Sequence, residues 1–143
     1  MITATENVRD LFKTKRLRCT RQREMIYGAL AAERDHPTAE DLFRRVRAED
    51  PGVSMATVYN TLDAFAEIGL VQRLACVRGS GACRYCADAS EHVHVVNKDG
   101  SVIDVPDDLG KRLLACIPPQ LMEEVSQRMG VRVGRTSVQF IAE

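Results

Sequence analysis

Hydrophobic positions in the N-terminal half of the chain recur at helical spacing, and short polar breaks divide them into separate helices. Thr20 stands as an N-cap ahead of Met25, Ile26, Ala29 and Leu30, which fall on one helical face. His36-Pro37-Thr38 interrupts that run, and Thr38 with Asp41 makes a capping-box pattern in which Asp replaces the usual Glu. Leu42, Phe43 and Val46 mark a second helix that stops at Asp50-Pro51-Gly52. Ser54 caps a third, with Met55, Val58, Leu62, Phe65 and Ala66 as its apolar stripe and Gly69 as its end. The period then changes from helical to alternating. Strands are predicted over Leu70–Val77 and Ala82–Ala87, joined by a hairpin turn at Arg78-Gly79-Ser80-Gly81. Helices followed by such a hairpin have the order of a winged helix-turn-helix, here expected over residues 1–87.

A second pattern begins at Glu91. Val93–Val96 and Ser101–Val105 read as strands about the turn Asn97-Lys98-Asp99-Gly100. A helix over Asp108–Ile117 ends at Pro118, and Pro119 opens another carrying Leu121, Met122, Val125 and Met129, closed by Gly130. Val131–Ile141 completes the unit as a strand. About 50 residues cannot easily bury a core alone, so residues 91–143 are expected to form a small α/β dimerisation domain completed by a second copy. The fold class expected is α+β, a winged helix followed by this domain.

Composition changes the picture little, and charge somewhat more. Of the 143 residues, 45% are hydrophobic and 28% charged, an ordinary globular balance. No apolar run reaches the length of a membrane span, and the first residues carry no signal-peptide pattern, so a cytoplasmic protein without a membrane partner is expected. Five cysteines in such a setting serve as ligands or buried thiols rather than disulfides. The net charge of +0 conceals a basic run. Lys13, Lys15, Arg16, Arg18, Arg21 and Arg23 follow one another with no acid between them, and such a face suits a polyanion.

Three histidines carry the candidate chemistry. His92 and His94, two apart on a strand, project from one face, with Val93 and Val95 expected on the opposite, buried face. Two imidazoles side by side suit zinc, iron or nickel. His36 lies at the junction of the DNA-binding helices, and ligands from both units would let a metal clamp them together. Cys83-Arg84-Tyr85-Cys86 has CxxC spacing, but residues three apart on a strand face opposite ways. Cys86 is therefore taken as a ligand and Cys83 as structural, with Cys19, Cys76 and Cys116 read as small buried residues. The third helix would present Thr57, Tyr59, Asn60 and Asp63, of which Tyr59 can reach a phosphate or a thymine methyl and Asn60 a base edge.

Several spaced motifs resemble the ferric uptake regulator family: Arg18-x-Thr20-x-Gln22-Arg23, His36-Pro37-Thr38-Ala39-Glu40-Asp41-Leu42, Ser54-x-Ala56-Thr57-Val58-Tyr59-Asn60-Thr61-Leu62, Gly69-Leu70-Val71, His92-x-His94 and Gly100-x-Val102-Ile103-Asp104. The resemblance implies a regulatory metal in the hinge between the domains, held by His36, Cys86, His92, His94 and Asp104. It further implies a homodimer whose recognition helices enter successive major grooves of an AT-rich palindrome in double-stranded DNA. Tyr59 would contact bases, and Lys15 with its neighbours Lys13, Arg16 and Arg21 would reach phosphates or the minor groove. Two departures matter. Many members hold a structural zinc with two CxxC pairs, one after the HxH strand and one near the C-terminus. Here Val96-Asn97-Lys98-Asp99-Gly100 fills the first place and no pair precedes Glu143, so that zinc is expected to be absent. Cys86 stands where iron and peroxide sensors carry Glu or Asp, a likeness to the zinc-uptake regulators. Three histidines limit the site to one metal per subunit, zinc or iron, with the thiol tilting the choice toward zinc.

The expected function is a metal-dependent repressor and not an enzyme. An alternative on the same scaffold is a peroxide or thiol sensor acting through Cys86 or the histidines. A small zinc hydrolase would need a general base beside an open cleft, for which Asp104 is the only candidate.

Overall fold

A computed structural model of the chain describes residues 4–74, 82–88 and 90–143. The chain divides into two compact units, Met1–Ala89 and Ser90–Glu143.

The first unit holds helices α1 (Ala4–Thr14), α2 (Arg21–Ala32), α3 (Ala39–Glu49) and α4 (Met55–Glu67), then strands β1 (Gln72–Leu74) and β2 (Arg84–Cys86). The caps act as the sequence suggests. Thr20, Thr38 and Ser54 accept the N–H groups of Arg23, Asp41 and Thr57, and Asp41 returns the bond to the Thr38 N–H, closing the capping box. Gly69 takes φ +70 just past α4, a left-handed turn that suits glycine. The Leu70 N–H then reaches back to the Phe65 carbonyl.

Helix α1 lies outside the elements the sequence pattern predicts, although Val8, Leu11 and Phe12 have helical spacing; the basic residues that follow obscure so short a stripe. Its end has the form of a Schellman motif. Arg16 sits at φ +54, its N–H bonded to the Lys13 carbonyl, and the Leu17 N–H bonds the Phe12 carbonyl. Phe12 packs with Tyr27 and Phe65, ring centroids 5.5 to 5.9 Å apart. Ile26, Leu30, Leu42, Val46, Val58 and Leu62 complete the buried core around them. Strands β1 and β2 pair antiparallel with Gln72 opposite Cys86 and Leu74 opposite Arg84. The strand residues Ala75–Val77 and the expected turn at 78–81, with Cys76, lie outside the described residues. Helices followed by an antiparallel pair make this the winged helix-turn-helix half of an α+β fold.

The second unit holds β3 (Val93–Val96), β4 (Val102–Asp104), α5 (Asp107–Leu114), α6 (Pro119–Met129) and β5 (Val138–Ile141). Its sheet has the order β4-β3-β5, antiparallel on one side and parallel on the other. Gly100, at φ +84, closes the β3–β4 turn. Strand β5 is much shorter than the expected 131–141, because donors ahead of it are taken elsewhere. The Val133 N–H bonds the Ser126 hydroxyl and the Thr136 N–H bonds the Glu91 carboxylate. Helix α6 has no buried residue. Among the described residues, Leu121, Val125, Met129, Val131, Phe140 and Ile141 are all exposed large hydrophobics in this unit.

Candidate metal centre

Each unit brings together metal-ligating side chain types of its own, and each group has a local cause. In the second unit the antiparallel register places His94 opposite Asp104 across β3 and β4. His92 lies two residues before His94, on the same side of the chain. Both His92 Nε2 and His94 Nε2 approach Asp104 Oδ1, at 3.2 and 3.3 Å. The two rings lie 4.2 Å apart, centroid to centroid. His92 Nδ1 is 2.8 Å from the Ser90 carbonyl oxygen. A carbonyl only accepts, so Nδ1 carries the hydrogen and Nε2 turns toward the carboxylate.

These distances fit a metal. A tetrahedral ion with bonds of about 2.0–2.1 Å sets its donors roughly 3.3 Å apart. The anchoring of His92 through its other nitrogen is the outer-shell arrangement that orients an imidazole ligand. Burial is deeper than expected: His94 is fully buried and His92 8% exposed, whereas Val95 is only half-buried. The histidine side of β3 thus belongs to the interior as much as the valine side does.

In the first unit the pair is His36 and Cys86. His36 is buried and sits at φ +50, a left-handed conformation costing a non-glycine residue on the order of 1 kcal/mol. Strand β2 holds it there. Arg84 Nη1 donates to the His36 carbonyl at 3.1 Å, the Tyr85 N–H donates to the Pro37 carbonyl at 3.0 Å, and Thr38 forms a bridge with Arg84. Cys86, also buried, follows on the same strand, and the donor atoms of His36 and Cys86 lie within 4.8 Å of each other. Cys83 is not with them. Just ahead of β2, it lines a cavity of about 250 Å³ with Tyr59, Arg73 and Tyr85.

Two other cysteines depart from expectation. Cys19 and Cys116 are exposed, not buried. The Cys19 thiol donates to Glu24 Oε1 at 2.7 Å, and that hydrogen bond pushes its pKa up. Cys116 follows α5 and bonds the Arg112 carbonyl.

The residues singled out for DNA lie at the surface of the first unit. Lys13, Lys15, Arg16 and Arg21 are exposed between the end of α1 and the start of α2. On α4, Tyr59 and Asn60 are exposed, while Thr57 is half-buried with its hydroxyl 2.8 Å from that of Ser54. Val58, Thr61, Leu62 and Phe65 occupy the buried side. Asp63 is ion-paired with Arg73. The Tyr59 hydroxyl donates to Glu40 Oε1 at 2.7 Å, a contact between helices that helical spacing alone does not reveal.

Known proteins share both the pattern and the fold. Residues 14–131 match the ferric uptake regulator family. A peroxide-responsive repressor of Staphylococcus epidermidis is 33% identical over 89 residues, covering 62% of this chain and 58% of that protein. The chain thus spans less than two thirds of that relative's length. A ferric uptake regulation protein of Brucella abortus is 30% identical over 118 residues, 82% of this chain and 77% of its own. Among solved structures, the ferric uptake regulator of Pseudomonas aeruginosa with manganese is similar at a TM-score of 0.67 and 28% identity, over 94% of this chain and 96% of that one.

Proposed function

The chain belongs to the ferric uptake regulator family, and from that premise we propose that it is a homodimeric repressor whose affinity for an AT-rich palindromic operator is set by one divalent metal per subunit. The observation that carries the proposal is the convergence of His92 Nε2 and His94 Nε2 on Asp104 Oδ1 at metal-edge distances. His92, His94 and Asp104 would form the part of the site belonging to the second unit, and His36 and Cys86 would supply the remaining donors from the first. A bound divalent ion would supply the positive charge that offsets a carboxylate and a thiolate brought near the imidazoles.

The chain's own residues decide the rest. Ser90 fixes the His92 tautomer, β4 registers Asp104, and β2 holds His36 in a conformation it would not otherwise favour. A thiolate with imidazoles suits zinc, and the carboxylate keeps iron in contention. On the DNA side, Tyr59, Asn60 and Thr57 would meet base edges, while Lys13, Lys15, Arg16 and Arg21 would neutralise phosphates. The protein acts in the cytoplasm on this reading; no described helix is long and apolar enough to cross a membrane. The relatives are named as regulators, and the reading is of a regulator rather than an enzyme.

The testing experiment pairs elemental analysis of the native protein with operator binding in chelator and in added zinc or ferrous iron. One metal per subunit and metal-dependent affinity are expected; equal affinity in both buffers would sink the proposal. A second reading has its own support. Cys86 is a buried thiol beside His36, and a relative is a peroxide-responsive repressor. Redox control predicts that mild peroxide changes both mass and DNA affinity, and unchanged values of both rule it out.

A further inference from the structure

Glu40 stands in the first turn of α3, exposed, on a surface that the proposed function turns toward a polyanion. An acid there opposes phosphates, so its place needs a reason. Its carboxylate accepts the Tyr59 hydroxyl at 2.7 Å, across the gap from α3 to the middle of α4. The bond acts on both partners. It holds the Glu40 carboxyl below the usual range and pushes the Tyr59 phenol above its own. One turn further along the same face of α4 the Asp63–Arg73 pair ties the helix to β1, and Arg73 lies 5.8 Å from the centroid of the Tyr85 ring. Along this face an acid thus takes part in each of these two contacts, and one of them ends on the aromatic side chain that the face presents.

We propose that Glu40 is a positioning residue for Tyr59, fixing the phenol at its hydroxyl end so that the ring, rather than the hydroxyl, is offered to the base edges. The inference rests on the reading of α4 as the recognition helix. A phenol already donating to a carboxylate is poorly placed to donate to a phosphate, since the acid repels that partner. A ring pinned at both Cβ and hydroxyl loses little further freedom on binding, which sharpens discrimination between base pairs. The Glu40 charge itself weakens binding to every sequence alike.

The test uses the metal-loaded full-length protein, an operator duplex recovered by in vitro selection, and a scrambled duplex of equal length. The readout is the ratio of the two affinities, in which the uniform charge effect cancels. Tyr59→Ala should lower that ratio about tenfold, the usual weight of one base contact. Glu40→Ala and Tyr59→Phe should each lower it at least about threefold, and combining them should add nothing further, as for two ends of one contact. Glu40→Gln, which keeps an acceptor, should restore the ratio to within about twofold of the parent. Phenol absorbance should show Tyr59 ionising at lower pH in Glu40→Ala than in the parent. If Tyr59→Ala lowers the ratio while Glu40→Ala does not, Glu40 has no positioning role and the inference is overturned. An unchanged Tyr59 titration in Glu40→Ala overturns it too. If Tyr59→Ala leaves the ratio unchanged, the reading of α4 itself fails at this residue.

Discussion

At His92, one ring nitrogen is committed to the Ser90 carbonyl and the other to the point it shares with His94 and Asp104. That division of labour fixes the tautomer of the imidazole and leaves it little rotational freedom, as the proposed ligand role requires. His94→Ala should therefore weaken metal affinity by more than the 10- to 100-fold typical of losing an outer-shell partner, measured by competition with a chromogenic chelator. Cys86→Asp should leave a metal site but shift its preference from zinc toward iron and manganese, because a hard oxygen replaces a soft sulfur. A parent and variant with the same zinc-to-iron affinity ratio would show that Cys86 is not a ligand. The juxtaposition of His92 and His94 is legible in the sequence because residues two apart on an extended chain share a face. Asp104 was not legible from spacing: its partner lies across a turn, and only the register of β3 with β4 brings it opposite His94. The thiols misled for a related reason. Cysteine's average burial says nothing of Cys19, which stands beside an N-cap and is engaged by Glu24.

Among the elements, the sequence marks helix starts more sharply than strand lengths. Thr20, Thr38 and Ser54 each cap the helix they precede, since a short side-chain acceptor at that position answers an otherwise unpaired N–H. Removing the Thr38 hydroxyl by Thr38→Ala should cost about 1 kcal/mol in chemical denaturation, because the reciprocal Asp41 bond loses its partner geometry as well. Strand lengths were overestimated where alternation continued past the last ladder bond, as before β5. The end of α1 carries a sharper prediction. Arg16 occupies a left-handed position that favours glycine. Arg16→Gly should leave stability unchanged or raise it by up to about 1 kcal/mol. The same change should weaken DNA binding and reduce the salt slope by about one. Loss of stability with intact DNA affinity would mean that Arg16 is there for the fold and not for DNA.

For the whole molecule, the two units differ in how far they satisfy themselves. The first buries an aromatic and aliphatic core, whereas the second leaves α6 without a buried residue and exposes Phe140 and Ile141 on its edge strand. Apolar surface of that kind is the mark of an interface, and the expectation of a dimerisation domain came from the same shortage of core. Leu121→Glu with Val125→Glu should yield monomers by analytical ultracentrifugation while the helical content of the first unit persists; a dimer that survives both changes would place the interface elsewhere. In the proposed function, DNA affinity is set by a metal held through these donors. Fluorescence anisotropy of a labelled operator, followed as free zinc is buffered upward, tests it most directly. The parent should bind tightly only as about one metal per subunit is taken up, and His94→Ala should bind weakly at every zinc concentration. Equal operator affinity for the parent in chelator and in saturating metal would rule out metal control of DNA binding.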